Sequence, residues 1–207
     1  MKKILLLSVL LLNLNAKAQR FEDYFTDATL RIDYTFSGNT KHQEIALDKL
    51  NRSPRWYGKR RRLTEVPVEG NGQIIVRDHR SDSIIYKNSF STLFQEWLSY
   101  DEAKTTPRSF ENVFLVPMPK DTIDVTLILY DNRRKPMASM HHQVVPTDIL
   151  IRKIGYDRQT PHVQLLAPKD STACIRIAFV AEGYRPAEMP TFISDATHAM
   201  NAIFAHE

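Results

Sequence analysis

The feature that most limits what this chain can fold into is a period-two alternation that recurs, between turns, from Ala28 to about Val145. Leu30, Ile32, Tyr34 and Phe36 alternate with Arg31, Asp33 and Thr35. An extended backbone puts such an apolar set on one face and the polar set on the other, which a helix of 3.6 residues per turn cannot do. Ser37-Gly38-Asn39 makes a turn, and Glu44 to Leu50 alternates again. Pro54 bars a central strand position, so Arg52 to Gly58 reads as loop. Gly70-Asn71-Gly72 turns tightly into an apolar, β-branched run from Gln73 to Asp78, and Ile84 to Lys87 is a short strand. Phe110–Val116, Thr122–Tyr130 and Pro136–Val145 complete the series, the last two joined by a turn at Asp131-Asn132-Arg133-Arg134. Many short strands with few helices describe an antiparallel β-sandwich.

Two regions depart from that pattern. Phe90, Leu93, Phe94 and Trp97 fall at i, i+3, i+4 and i+7, which predicts a short helical or irregular segment across Phe90–Ala103, capped by Ser89. After the connecting strands expected at Ile149–Ile154 and His162–Leu166, the boundary Pro168-Lys169-Asp170-Ser171 opens a different composition. Cys174 to Val180 is apolar apart from Arg176, as in a strand buried on both faces. Pro186 suits a first helical turn, and Met189 to Glu207 carries Phe192, Ala196, Ala199, Ile203 and Phe204 as a helical stripe. A lone β-α unit cannot cover its own sheet. The expected organisation is therefore mostly β, with three parts. Residues 1–18 form a signal peptide, 19–168 an N-terminal antiparallel β-sandwich, and 169–207 the first β-α unit of an incomplete α/β domain that the chain leaves unfinished.

Export is read from the leader. Met1-Lys2-Lys3 is a positive start, Ile4–Leu12 an apolar stretch broken only by Ser8, and Ala16-Lys17-Ala18 offers small residues for a cut before Gln19. The apolar stretch is shorter than the roughly 20 residues a membrane-spanning helix needs, and no second run approaches that length. A lipid anchor would need a cysteine at the cut, and the single one, Cys174, lies far downstream. A lone cysteine also rules out an intrachain disulfide. The expected location is periplasmic or extracellular. Cleavage removes Lys2, Lys3 and Lys17, taking the 28 Lys and Arg to 25 against 24 Asp and Glu. A near-neutral mature chain has no general attraction for nucleic acid.

No catalytic constellation stands out. His141 and His142 are neighbours on a predicted strand, so they point to opposite faces and cannot share one metal. His42, His79 and His162 stand alone near turns, as solvated surface residues do. Asp195 and His198 are i, i+3 on the last helix and read as a local polar pair. His206-Glu207 offers only the first half of a His-Glu-x-x-His zinc motif. Cys174, inside an apolar strand, is not an activated nucleophile. Six glycines and no glycine-rich run leave little material for a phosphate loop. Lys59-Arg60-Arg61-Arg62 reads as a solvated loop or a guarded sheet edge, or else as a site for an anionic glycan or lipid head group. Trp56-Tyr57 reads as a core or loop anchor, or else as a sugar platform. No residue of this chain is assigned a catalytic, metal-binding or cofactor-binding role.

Several stretches together resemble one family, the exported IgA-peptidase-type zinc metallopeptidases best represented in gut Bacteroidetes. The resemblance lies in Gly70-Asn71-Gly72, in Tyr86-Lys87-Asn88-Ser89-Phe90-Ser91-Thr92-Leu93-Phe94-Gln95-Glu96-Trp97, in Arg108-Ser109-Phe110-Glu111 and in Phe114-Leu115-Val116-Pro117-Met118-Pro119. Ile177-Ala178-Phe179-Val180-Ala181-Glu182-Gly183-Tyr184 is similar to the opening of the family's catalytic domain. The resemblance implies an accessory N-terminal domain, a protein or peptide substrate for the intact enzyme, and zinc on a His-Glu-x-x-His helix beyond Glu207. There the metal would polarise a peptide carbonyl and activate water. The competing expectation is an exported, non-enzymatic β-sandwich that binds glycan or protein through Trp56, Tyr57 and Lys59–Arg62. If the leader is cut as read, mass spectrometry of the exported protein will find Gln19 as its first residue. An N-terminus at Met1 in the exported fraction refutes the assignment.

Overall fold

The computed structural model describes residues 20–157, 160–171 and 174–205. The expected leader, residues 1–18, and the terminal pair His206-Glu207 lie outside the described residues. The alternation of the first strand becomes the inner face of a two-sheet sandwich. A one-turn helix, α1 (Phe21–Tyr24), leads into β1 (Phe25–Gly38), where Leu30, Ile32, Tyr34 and Phe36 are at most 1% exposed. The strands that follow are β2 (Gln43–Pro54), β3 (Gly72–Asp78), β4 (Ile84–Phe90), β5 (Arg108–Pro119), β6 (Ile123–Tyr130), β7 (Pro136–Val144) and the short β8 (Arg152–Lys153). They assemble as two four-stranded sheets, in the orders β5-β1-β2-β8 and β4-β3-β6-β7. Every pairing is antiparallel except β2 with β8. The expected sandwich is what forms.

The core is the meeting of the two inner faces. Ile74 and Val76 of β3, and Ile123, Val125, Leu127 and Leu129 of β6, are buried with the apolar set of β1. At one end the filling is aromatic: Phe36 lies 5.9 Å from Phe114 and 6.2 Å from both Phe90 and Phe94. The outer side of β1 is not simply solvated. Asp33 and Asn51 are buried there, and Asp33 accepts hydrogen bonds from Arg31 Nε at 2.6 Å and from Asn51 Nδ2 at 3.4 Å. A buried carboxylate is tolerable only when its oxygens are engaged in this way.

Three local expectations change. β2 runs through Pro54, which pairs with Ala28 at the last rung of the ladder, where a missing N–H costs little. Phe90 belongs to β4, so the helix α2 is confined to Leu93–Trp97 and is capped by Thr92, whose Oγ1 accepts from Gln95 N. Ser89 is occupied elsewhere: its Oγ accepts from Gly70 N and donates to Gly72 O, both at 2.8 Å, bracing the hairpin. Gly70 sits so close that a Cβ there would lie 2.2 Å from the Phe90 carbonyl oxygen.

The third change is C-terminal. His162–Leu166 and Cys174–Val180 form no strands, and Ile175 and Val180 are 92% and 80% exposed. A strand buried on both faces needs neighbours to ladder with, and no described strand supplies one. The helix does form: α3 (Met189–Ala205) follows a short 3-10 helix at Pro186–Glu188, where Arg185 N donates to Glu188 Oε2 at 2.8 Å. Of its apolar stripe Ala196 is buried and Phe192 packs 5.2 Å from Tyr184, while Ile203 and Phe204 face solvent. No helix among the described residues is long and apolar enough to cross a membrane.

The two faces of the first sheet differ enough to be told apart by truncation. Phe36→Ala is expected to lower the unfolding free energy by about 3–5 kcal/mol. Leu115→Ala, on the half-exposed side, is expected to lower it by less than about 1 kcal/mol. Urea titration followed by tryptophan fluorescence reads both, and equal losses would contradict the assigned faces.

Candidate functional site

The two sheets end, on one side of the sandwich, in the edge strands β5 and β4. Along them runs a groove of about 500 Å³ whose apolar lining includes Ile74, Phe90, Phe110 and Phe114. It takes consecutive residues from Phe110 to Leu115, and so exposes both faces of β5 and the strand edge between them. A neighbouring hollow of about 380 Å³ shares Ser91, Thr92 and Leu93 with it and reaches Glu96. The hollow opens where α2 turns away from the sheet. The lining residues that carry charge are Glu111 in the first space and Glu96 in the second.

The two edges are treated differently. Lys87 N of β4 donates to Leu63 O at 3.0 Å, and Lys59 Nζ donates to Lys87 O and Glu65 O, each at 2.7 Å. The loop carrying the basic run thereby closes the β4 edge. Among the described residues β5 ladders only with β1, and its other edge stays open.

That loop places the four residues of the basic run differently. Lys59 also lies 5.1 Å from the centre of the Tyr86 ring, and burial holds its ammonium below the ordinary lysine range. Burial likewise pushes the Tyr86 hydroxyl up to about 12. Arg60 stacks over Phe21 at 4.7 Å and is bound to Asp27 and to Trp56 O. Arg61 meets Asp170 at 3.5 Å and Arg62 meets Glu65 at 3.8 Å. Lys59 and Arg60 are thus held on edge and core, as a guarded sheet edge requires, while Arg61 and Arg62 stay exposed beside their acidic partners. Trp56 is 5% exposed, with Nε1 donating to Lys59 O at 3.0 Å, so it is an anchor and not a sugar platform. Tyr57 is exposed beside it, with the Arg176 guanidinium 5.6 Å from its ring.

The histidines separate as strand geometry demands. His142 points inward: Tyr34 Oη donates to its Nε2 at 2.6 Å, and its Nδ1 lies 3.4 Å from Gln143 O. Those contacts fit the neutral ring protonated on Nδ1. Burial holds this imidazole below its ordinary value and holds the Tyr34 hydroxyl well above its own. His141 points outward into a cluster that sequence spacing does not reveal. His79 Nδ1 lies 2.8 Å from Asp124 Oδ2, His141 Nε2 lies 3.7 Å from Asp124 Oδ1, and Gln143 Nε2 lies 3.2 Å from His79. The one signal was parity, since Asp124 pairs with Gln143 and His141 lies two residues along the same face.

The remaining candidates stay apart. His42 pairs with Glu44 at 2.8 Å, and His162 Nδ1 lies 3.4 Å from Thr160 O. Asp195 accepts from Tyr184 Oη at 2.9 Å in place of the expected pairing with His198. Cys174 lies outside any strand, with its Sγ 3.6 Å from Ser171 O. Among the described residues no group of three or more His, Cys, Asp or Glu is placed to hold a metal ion. They do not fit zinc.

Fold and surface together define a β-sandwich module that, on the side of β4 and β5, has the β4 edge covered and the β5 edge open among the described residues. The family model described as Peptidase M64 N-terminus matches residues 20–141, a span that takes in β1 to β6 and most of β7. The chain belongs to that family. No curated protein matches it.

The Tyr34–His142 contact carries a pH signature. A buried imidazole whose folded value is depressed binds fewer protons than the unfolded chain. Its contribution is therefore complete above about pH 6.5 and is lost as pH falls toward the lower folded value. The melting temperature is expected to fall between pH 7 and 5, and to fall less in His142→Gln. Identical pH profiles for the two proteins would exclude the contribution.

Proposed function

We propose that this chain provides the accessory β-sandwich, residues 19–168, of an exported zinc metallopeptidase, and that residues 169–207 open its α/β catalytic domain. The observation that carries the proposal is the Peptidase M64 N-terminus match across the sandwich. Export rests on the leader read at residues 1–18. Because the described residues do not fit a metal site, zinc is assigned to none of them. Within such an enzyme the sandwich offers a rigid frame and a binding edge while hydrolysis proceeds elsewhere. Its protein or peptide substrate is a polymer long enough to touch both parts.

Of the residues behind the competing reading, a non-enzymatic module that binds glycan or protein, Trp56 is buried and Lys59 and Arg60 are held within the fold, while Tyr57, Arg61 and Arg62 stay exposed. The test is to express the whole reading frame that contains this chain and assay the purified product on unfolded casein. Proteolysis abolished by a zinc chelator and restored by added zinc is the expected outcome. A reading frame with no His-Glu-x-x-His after Glu207, or a product without proteolysis, would sink the proposal.

A further inference from the structure

We infer that the open edge of β5 is a docking strand, along which an extended cationic polypeptide adds to the sheet and sets an apolar side chain into the adjoining groove. The first support is the contrast between edges. Natural sheets guard their edges with covering loops, charges and prolines. Here β4 is closed by the Lys59–Leu63 loop, β2 is covered in part by β8, and β7 begins at Pro136. In β5 the prolines stand only at 117 and 119, where the strand is already buried. Its stretch Arg108–Leu115 has neither a covering loop nor a proline; its charges are Arg108, paired with Glu102 at 2.7 Å, and Glu111, and it presents Val113 and Leu115 at 49% and 53% exposure. That stretch spans about 26 Å, long enough for an added strand of about seven residues.

The second support is what lies beside the edge. Strand addition draws affinity from main-chain hydrogen bonds and specificity from pockets that take alternate side chains. The groove runs along the edge itself, with Phe90 and Phe114 in contact at 4.4 Å between ring centres. A large aliphatic or aromatic side chain fits such a lining. The third support is charge. Glu111 and Glu96 are the charged lining residues, and the one cation of the stretch, Arg108 at its far end, is held by Glu102 at 2.7 Å and lies over the Trp97 ring. A cationic partner is therefore matched and an anionic one repelled.

The same carboxylate disfavours a second copy as the occupant. Two β5 edges paired about a two-fold axis keep like faces together. The registers of greatest overlap then set the two Glu111 side chains opposite or diagonal to one another, a like-charge pair. The inference names the polypeptide that the accessory domain of the proposed peptidase would hold, and to that extent it rests on that reading.

A fluorescein-labelled peptide Lys-Thr-Val-Phe-Val-Thr-Lys, titrated against the 207-residue chain, tests it by anisotropy. Saturable binding is expected, at least about tenfold tighter than for Glu-Thr-Val-Phe-Val-Thr-Glu. Glu111→Lys should invert that preference and Glu111→Gln should reduce it, with the melting temperature of each variant checking the fold. Methylating alternate backbone nitrogens of the peptide should abolish saturable binding, which a merely sticky apolar patch would not show. Equal affinity for the two peptides, indifference to the Glu111 variants, or tolerance of methylation overturns the inference. So does a dimer in sedimentation that excludes the peptide and dissociates in Leu115→Lys. Binding without any proteolysis by the full reading frame would sustain the inference and sink only the peptidase reading. Proteolysis without binding would do the reverse.

Discussion

In β1, backbone and side chains answer to different neighbours. Its main chain is laddered to β2 on one flank and β5 on the other, while Leu30, Ile32, Tyr34 and Phe36 reach across to β3 and β6. Because the side-chain period of a strand is two, a slip of one residue would turn that whole set outward and put Arg31 and Thr35 into the core. The second sheet, the aromatic end and the groove all take their places from this one register. Even the bulge between Asp33 and Tyr34 fits the scheme, since it brings Tyr34 opposite Leu47 and keeps the inward set continuous.

Polar groups refine what the apolar pattern begins. Asp33 is satisfied on the outer face by Arg31 and Asn51, and Tyr34 and His142 satisfy one another on the inner side. Unpartnered, each would carry a desolvation penalty of about 1–3 kcal/mol or more. The basic run does a similar service at the periphery. Lys59 directs its donors to the carbonyls of Glu65 and Lys87, so the first cation of a stretch that looks suited to an anionic ligand closes a sheet edge instead. What the surface then retains for partners is a strand edge bordered by aromatics and carboxylates.

That economy suits an accessory role beside a peptidase. A strand edge recognises the one feature that every unfolded polypeptide shares, its backbone. A groove beside it adds a mild preference without demanding one sequence.

Much of the fold was legible. Alternation located the strands of both sheets, and the parity of His141 and His142 correctly set them on opposite faces. The stretch around Phe94 and Trp97 showed helical spacing, yet α2 begins only after Phe90 has served as the last residue of β4. Local period cannot tell where one element hands over to the next, because Phe90 suits both. The sequence by itself determined which residues face inward, since that depends only on backbone period. The tertiary structure alone decided which edge is closed, which histidines meet Asp124, and whether Cys174–Val180 ladders as a strand. Each of those depends on a neighbour distant in sequence, and a strand or a polar side chain acquires its role only when that neighbour arrives.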